Sequence, residues 1–166
     1  MAVSLVRIDD RIIHGQTTTR WTKAKDVFGI IVVGDKVAND ELRKKVLKAA
    51  AGNYKLGVFP EEVGIEKVAQ AFAAPKDYFV IAESPVVIAN MVKKGADFGD
   101  VINVGPMNAK PGAKNLGNTT SLDEADYEAF NYLNEQGYEL SFQIIPSEKP
   151  RTWDYIKNRY NSIESV

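Results

Sequence analysis

The 166-residue chain has no cysteine and a single histidine, and both shortages narrow its chemistry. Without thiols there is no disulfide framework, no thiolate zinc site and no cysteine nucleophile. Any hydrolytic triad must pass through His14, and no G-x-S-x-G elbow occurs. His14 with Asp9 or Asp10 offers too few ligands to define a metal site. Charge of one sign is also lacking: 21 Lys and Arg against 22 Asp and Glu leave a formal charge of -1, so no global field favours nucleic acid or an anionic membrane. Long apolar runs are missing too. The longest, "FGIIVVG" and "PVVIANMV", fall short of a membrane span, so a membrane role runs through a partner. The opening "MAVSLVRIDD" has neither a basic leader nor a long apolar region, which is not a signal-peptide pattern. Together with the missing cysteine, this fits a cytoplasmic location.

What is present is an ordinary globular composition, 45% hydrophobic and 26% charged, which excludes a disordered or collagen-like chain. The length suits one domain over 1–166. Short β-rich runs, "VSLVRI", "FGIIVVG", "KLGVF", "YFVIAES" and "DVINVG", alternate with helically spaced segments near 15–25, "NDELRKKVLKAAAG", "EEVGIEKVAQAFAA" and "SPVVIANMVKKG". The expectation is an α/β fold: an open, mainly parallel, doubly wound sheet with helices on both faces, extended by a C-terminal strand "YELSFQIIP" and helix "TWDYIKNRY". Asn39 or Asp40 is expected to cap one helix and Ser84, followed by Pro85, another. Ser121 begins an S-x-x-E capping pattern after a Gly-, Asn- and Pro-rich loop over 106–120.

The stretch "RIDDRIIHGQ" lies where the first strand runs into the first helix, and open parallel sheets gather ligands beyond the carboxyl ends of their strands. A helix N-terminus offers unpaired amides and the positive end of a dipole, which favour phosphate. Arg11 adds a permanent cation whose forked donors suit phosphoryl oxygens. Neutral imidazole is a nucleophile near physiological pH, so His14 is the candidate phosphoryl acceptor, with Asp9 or Asp10 orienting it. Gly15 would let the backbone approach the group closely.

The stretch "LVRIDDRIIHGQ" closely resembles the active-site signature of the IIB subunits in the mannose, fructose and sorbose family of sugar phosphotransferase systems. Arg7, Asp9, Asp10, Arg11, His14, Gly15 and Gln16 match that pattern, in which the histidine is the phosphorylated residue. "VINVG" and the late "EQGYELSFQIIP" carry the likeness onward, with departures at Pro106 and Thr17. The resemblance implies a phosphotransferase that accepts a phosphoryl group from a IIA phosphohistidine. It then passes the group to a sugar entering through the IIC and IID membrane subunits, with no metal or organic cofactor. It implies roles at His14 for Arg11 and Asp10, a phosphoryl cradle of the amides around Ile13, Gly15 and Gln16, and walls formed by Glu83, Ser84, Gly105 and Met107. Arg7 and Arg20 would meet an acidic partner rim or simply be surface charges. The 106–120 loop and the aromatic C-terminal helix offer a self-contact for a homo-oligomer.

Two rivals use the same strand end. A flavodoxin-like nucleotide module would exploit "GQTTTR", yet neither G-x-G-x-x-G nor a Walker sequence occurs. A receiver-like phosphoaspartate domain would use the acidic pair, yet needs a further Asp after its third strand, where this chain reads "KLGVFPEE".

Overall fold

"VSLVRI" becomes β1 (Val3–Ile8), the fourth of seven strands in the main sheet of the computed structural model, which describes residues 3–163 except for the side chains of residues 16–18. The other early strands are β2 (Gly29–Val33), β3 (Lys55–Phe59), β4 (Tyr78–Ala82) and β5 (Val101–Val104). With β8 (Glu139–Phe142) and β9 (Arg151–Thr152) they run in the order β3-β2-β4-β1-β5-β8-β9. Every pairing is parallel except that of β9 with β8. The late strand is therefore a full member of the sheet rather than an extension. It is shorter than the apolar run suggests, because Gln143 and Ile144 turn their backbone carbonyls towards Arg7 instead of a neighbouring strand.

Parallel strands covered on both faces must be apolar on both, and the pleat shows this. Ile31 and Val33 of β2, Val80 and Ala82 of β4, and Val6 and Ile8 of β1 pack to one side. Ile30 and Val32, with Phe79 and Ile81, pack to the other. That second face carries α1 (Gly15–Lys25), the short α2 (Asp35–Ala38) and α3 (Glu41–Ala51), contributing Trp21, Val37 and Leu47. The first face carries α4 (Glu61–Ala73), α5 (Pro85–Lys93), α6 (Glu124–Glu135) and α7 (Trp153–Ser162). Each fully buried aliphatic or aromatic side chain contributes about 1.5–3 kcal/mol.

The capping expectations hold at two helices. Asp40 accepts the Arg43 amide to open α3, and Ser84 accepts the Val86 amide with Pro85 at the first helical position of α5. At α6 the structure corrects the reading. The cap is Asp123, reciprocally bonded with Asp126, and Ser121 is instead buried in a two-stranded ladder of β6 (Lys114–Asn115) and β7 (Ser121–Leu122). A carboxylate serves better there because Lys110 lies 2.7 Å from Asp126 and 3.3 Å from Asp123. The ladder and this ion pair fold the 106–120 loop back onto its own subunit.

Candidate functional site

β1 leads into α1 on one face of the sheet, whereas its neighbours β4 and β5 lead into α5 and α6 on the other, so a crevice opens at the end of β1. The loop that fills it is tightly tied. The Asp9 amide donates to the Ala82 carbonyl at 2.9 Å, and the Ile12 amide donates to the Asp9 carbonyl at 2.9 Å. Ile12 sits at φ 62 with its side chain 1% exposed, so core burial holds a β-branched residue in the left-handed region.

His14 follows as the N-cap of α1, with extended backbone and no side-chain capping bond. Its Nε2 lies 3.0 and 3.2 Å from the two oxygens of Asp9, and its side chain is 11% exposed, so the ring is seated in the loop rather than standing in solvent. Gly15 has φ +38, and a Cβ built there would meet nothing within 4 Å. Glycine is needed for the turn, and the space before it stays open. The backbone of Gln16 lies in the first turn of α1; its side chain falls outside the description.

Of the acidic pair, Asp9 orients the imidazole. It is 1% exposed and also accepts the Arg11 amide at 3.0 Å. Asp10 does not reach the ring. Its carboxylate accepts the Asn108 amide at 2.6 Å and the Asn108 side-chain amide at 3.2 Å, pinning the loop after β5. Strand alternation explains the split: successive residues leave β1 towards opposite sides, so only one can turn back under the ring.

Arg11 is exposed, and its guanidinium has no partner among the described residues. Arg7 is no surface charge: it is 3% exposed and its Nε lies 3.5 Å from Asp9. Burial lowers its pKa from the ordinary value, with Asp9 opposing the shift. Arg20 is exposed on α1.

The expected walls divide. Glu83 pairs with Arg43 at 2.6 Å, and Arg43 also donates to the Asp10 carbonyl at 3.3 Å, which ties α3 to the loop. Ser84 is occupied as a cap. Gly105 lies beneath, its amide donating to the Ile8 carbonyl at 2.7 Å. Met107 is buried in the core and forms no open wall, since its backbone is bonded to Thr119 and Ser121, which turns it inward. Ile13 likewise buries its side chain, leaving only its backbone for a ligand. Sequence reading missed Arg43, Asn103 and Asn108. Their partners lie 33 to 98 residues away in the chain, and no local pattern announces such contacts.

Among the described residues, no group of three or more His, Asp or Glu side chains could hold a metal ion. No helix there is long and apolar enough to cross a membrane. The arrangement suits chemistry at one imidazole, held at one nitrogen by a carboxylate and set against the amides of a helix start.

The sequence matches the family described as PTS system sorbose subfamily IIB component over residues 3–165. It is 38% identical over 152 residues to the PTS system mannose-specific EIIAB component of Escherichia coli (strain K12), covering 89% of this chain and 46% of that one, and so spans about half of that relative. It is 35% identical over 152 residues to the PTS system sorbose-specific EIIB component of Klebsiella pneumoniae, covering 89% of this chain and 90% of that one. Among solved structures, the IIBSor domain of the sorbose permease from Klebsiella pneumoniae aligns with a TM-score of 0.86 at 32% identity, covering 99% of both chains.

Proposed function

Because the chain belongs to the sorbose-subfamily IIB components of the sugar phosphotransferase system, we propose that it is a single-domain cytoplasmic phosphocarrier acting through His14. A phosphohistidine on a IIA protein donates the phosphoryl group, and a sugar presented by IIC and IID membrane subunits receives it. The contact of His14 with Asp9 at the start of α1 carries this reading. With Nε2–H donating to Asp9, the lone pair on Nδ1 attacks phosphorus as the donor's N–P bond breaks. The phosphorylated ring then bears a positive charge that the Asp9 carboxylate balances. The amides of Gly15 and Gln16 and the exposed Arg11 would meet the phosphoryl oxygens.

The surface around His14 suits an acidic donor. Arg20, Lys23 and Lys25 on α1, and Lys44, Lys45 and Lys48 on α3, lie on the sheet face that α1 shares with α3, with Glu41 opposing. Leu42 and Val46, 74% and 59% exposed, add an apolar stripe one turn apart on α3.

The test is intact mass of wild type and His14→Gln after incubation with phosphoenolpyruvate, the general phosphotransferase proteins and a IIA protein. One acid-labile, alkali-stable phosphoryl group on wild type alone is expected. Phosphorylation of His14→Gln at the normal rate would remove the assignment.

A further inference from the structure

The resemblance rests on three separated stretches, "RIDDRIIHGQ", "VINVG" and "EQGYELSFQIIP", and the structure shows one side chain joining them. Arg7 leaves β1 and enters the fold beneath Asp9. Its Nη1 donates to the Asn103 side-chain oxygen and, at 2.9 Å, to the Gln143 carbonyl; its Nη2 donates to the Ile144 carbonyl at 3.0 Å. The guanidinium lies 5.0 Å from the centre of the Trp21 ring, and the Trp21 indole N–H donates to the same Ile144 carbonyl at 3.0 Å. Gly105 leaves the room: a Cβ there would collide with the guanidinium, with Cζ only 2.6 Å away. Asn103 and Gly105 of "NVG" thus form a seat for Arg7. The remaining donor, Nε, faces Asp9, and Asp9 faces His14.

We propose that Arg7 is a positioning residue for transfer at His14: held by β5, by the turn after β8 and by Trp21, it fixes the Asp9 carboxylate so that Nε2 of the imidazole stays protonated and Nδ1 keeps its lone pair. This rests on the phosphocarrier reading and extends it to a residue that touches neither phosphoryl group nor partner. An arginine is required because its planar fork meets three acceptors at fixed angles while a fourth donor meets the carboxylate. Its charge also offsets that of the buried Asp9 carboxylate.

The chain's single histidine makes a ¹⁵N-imidazole spectrum unambiguous. Wild type, Arg7→Gln, Arg7→Lys and Gly105→Ala are compared by that spectrum, by thermal melting and by phosphorylation kinetics with a IIA donor. Wild type should show the Nε2–H tautomer. Arg7→Gln should show a tautomer mixture, a pH–rate profile different from wild type, and a kcat lower by about ten- to a hundredfold. The donor KM should stay within about twofold, because Arg7 is buried. Arg7→Lys keeps the charge and should recover part of kcat. Gly105→Ala keeps every charge but displaces the guanidinium, so it should reproduce Arg7→Gln, and it decides the matter if Arg7→Gln does not fold. A folded Arg7→Gln or Gly105→Ala with the wild-type tautomer, pH profile and kcat would overturn the proposal. If wild type takes no phosphoryl group, the phosphocarrier reading fails, while the tautomer comparison still decides whether Arg7 positions the ring.

Discussion

Asp9→Asn separates the two acidic residues of the loop and can be worked through quantitatively. In the folded protein one Asp9 oxygen accepts from the Arg11 amide and from His14, and the other accepts from His14 and faces Arg7 Nε. An asparagine must place its NH2 on one of these oxygen positions, so a donor meets either the Arg11 N–H or the Arg7 guanidinium. Breaking a buried pair and leaving its partner charged costs about 3–5 kcal/mol. For a chain of this size that lowers the melting temperature by roughly 6–20 °C. It leaves a protein of ordinary stability folded at room temperature. The kinetic effect is larger. The new NH2 can donate to Nε2, which moves the ring proton to Nδ1 and removes the attacking lone pair. The same substitution in the serine-protease triad, where it fixes the wrong tautomer, costs about 10⁴-fold, and a loss on the order of 10³-fold or more is expected here. Rapid-quench phosphorylation by a saturating IIA donor, read by intact mass at alkaline pH, measures it. Asp10→Asn is the comparison: it can still accept the Asn108 amide and should stay within a fewfold of wild type. A folded Asp9→Asn within threefold of wild type, or an Asp10→Asn as slow as Asp9→Asn, would refute this reasoning.

Two further outcomes follow from the charge layout. Lys45→Glu with Lys48→Glu on α3 should raise the donor KM about tenfold at low salt with kcat unchanged. The difference should fade near about 0.5 M salt, and Lys93→Glu on the opposite face should do nothing; equal KM values at low salt would remove the basic docking surface. Burial, and then the neighbouring Asp35, raise the pKa of the Glu61 carboxyl above its ordinary value. The folded state therefore holds that proton more tightly than the unfolded chain, so this contribution is full below the ordinary carboxylate range and is lost as pH rises through the folded value. Glu61→Gln should melt higher than wild type at pH 7 and converge with it near about pH 4; a lower melting temperature at pH 7 would contradict this.

The β-α alternation was legible because each early strand is an apolar run bounded by turn residues, and helices such as α3 and α5 carry their caps in the sequence. His14 was legible through its motif. Its supports were not. Arg7 lies next to the end of a strand that alternates normally, so it reads as an outward charge; its burial depends on β5 and β8 being neighbours, which no local spacing reveals. Choosing between Asp9 and Asp10 needed the direction in which β1 exits. Ser121 looked like a cap because S-x-x-E fits, but the β6–β7 ladder claims that residue and Asp123 begins the helix two positions later. Met107 looked like a wall because it follows a strand end, yet its backbone bonds turn it into the core. Each miss concerns a contact made outside the residue's own element, where topology overrides local pattern.

On the proposed function, strain in the loop bears on how one histidine meets two partners. Ile12 in the left-handed region costs about 1–3 kcal/mol, and burying its side chain returns about 1.5–3 kcal/mol, so the two nearly cancel. The net effect is on shape: Ile12 cannot relax without exposing its side chain, and the bonds of Asp9 to Ala82 and of Arg43 to Asp10 hold the segment that leads into it. A flexible loop would have to lose conformational freedom at each encounter, about 1–2 kcal/mol per residue ordered, once with the donor and again with the acceptor. A loop already fixed by its own core loses nothing at either step, so neither transfer direction is favoured by ordering.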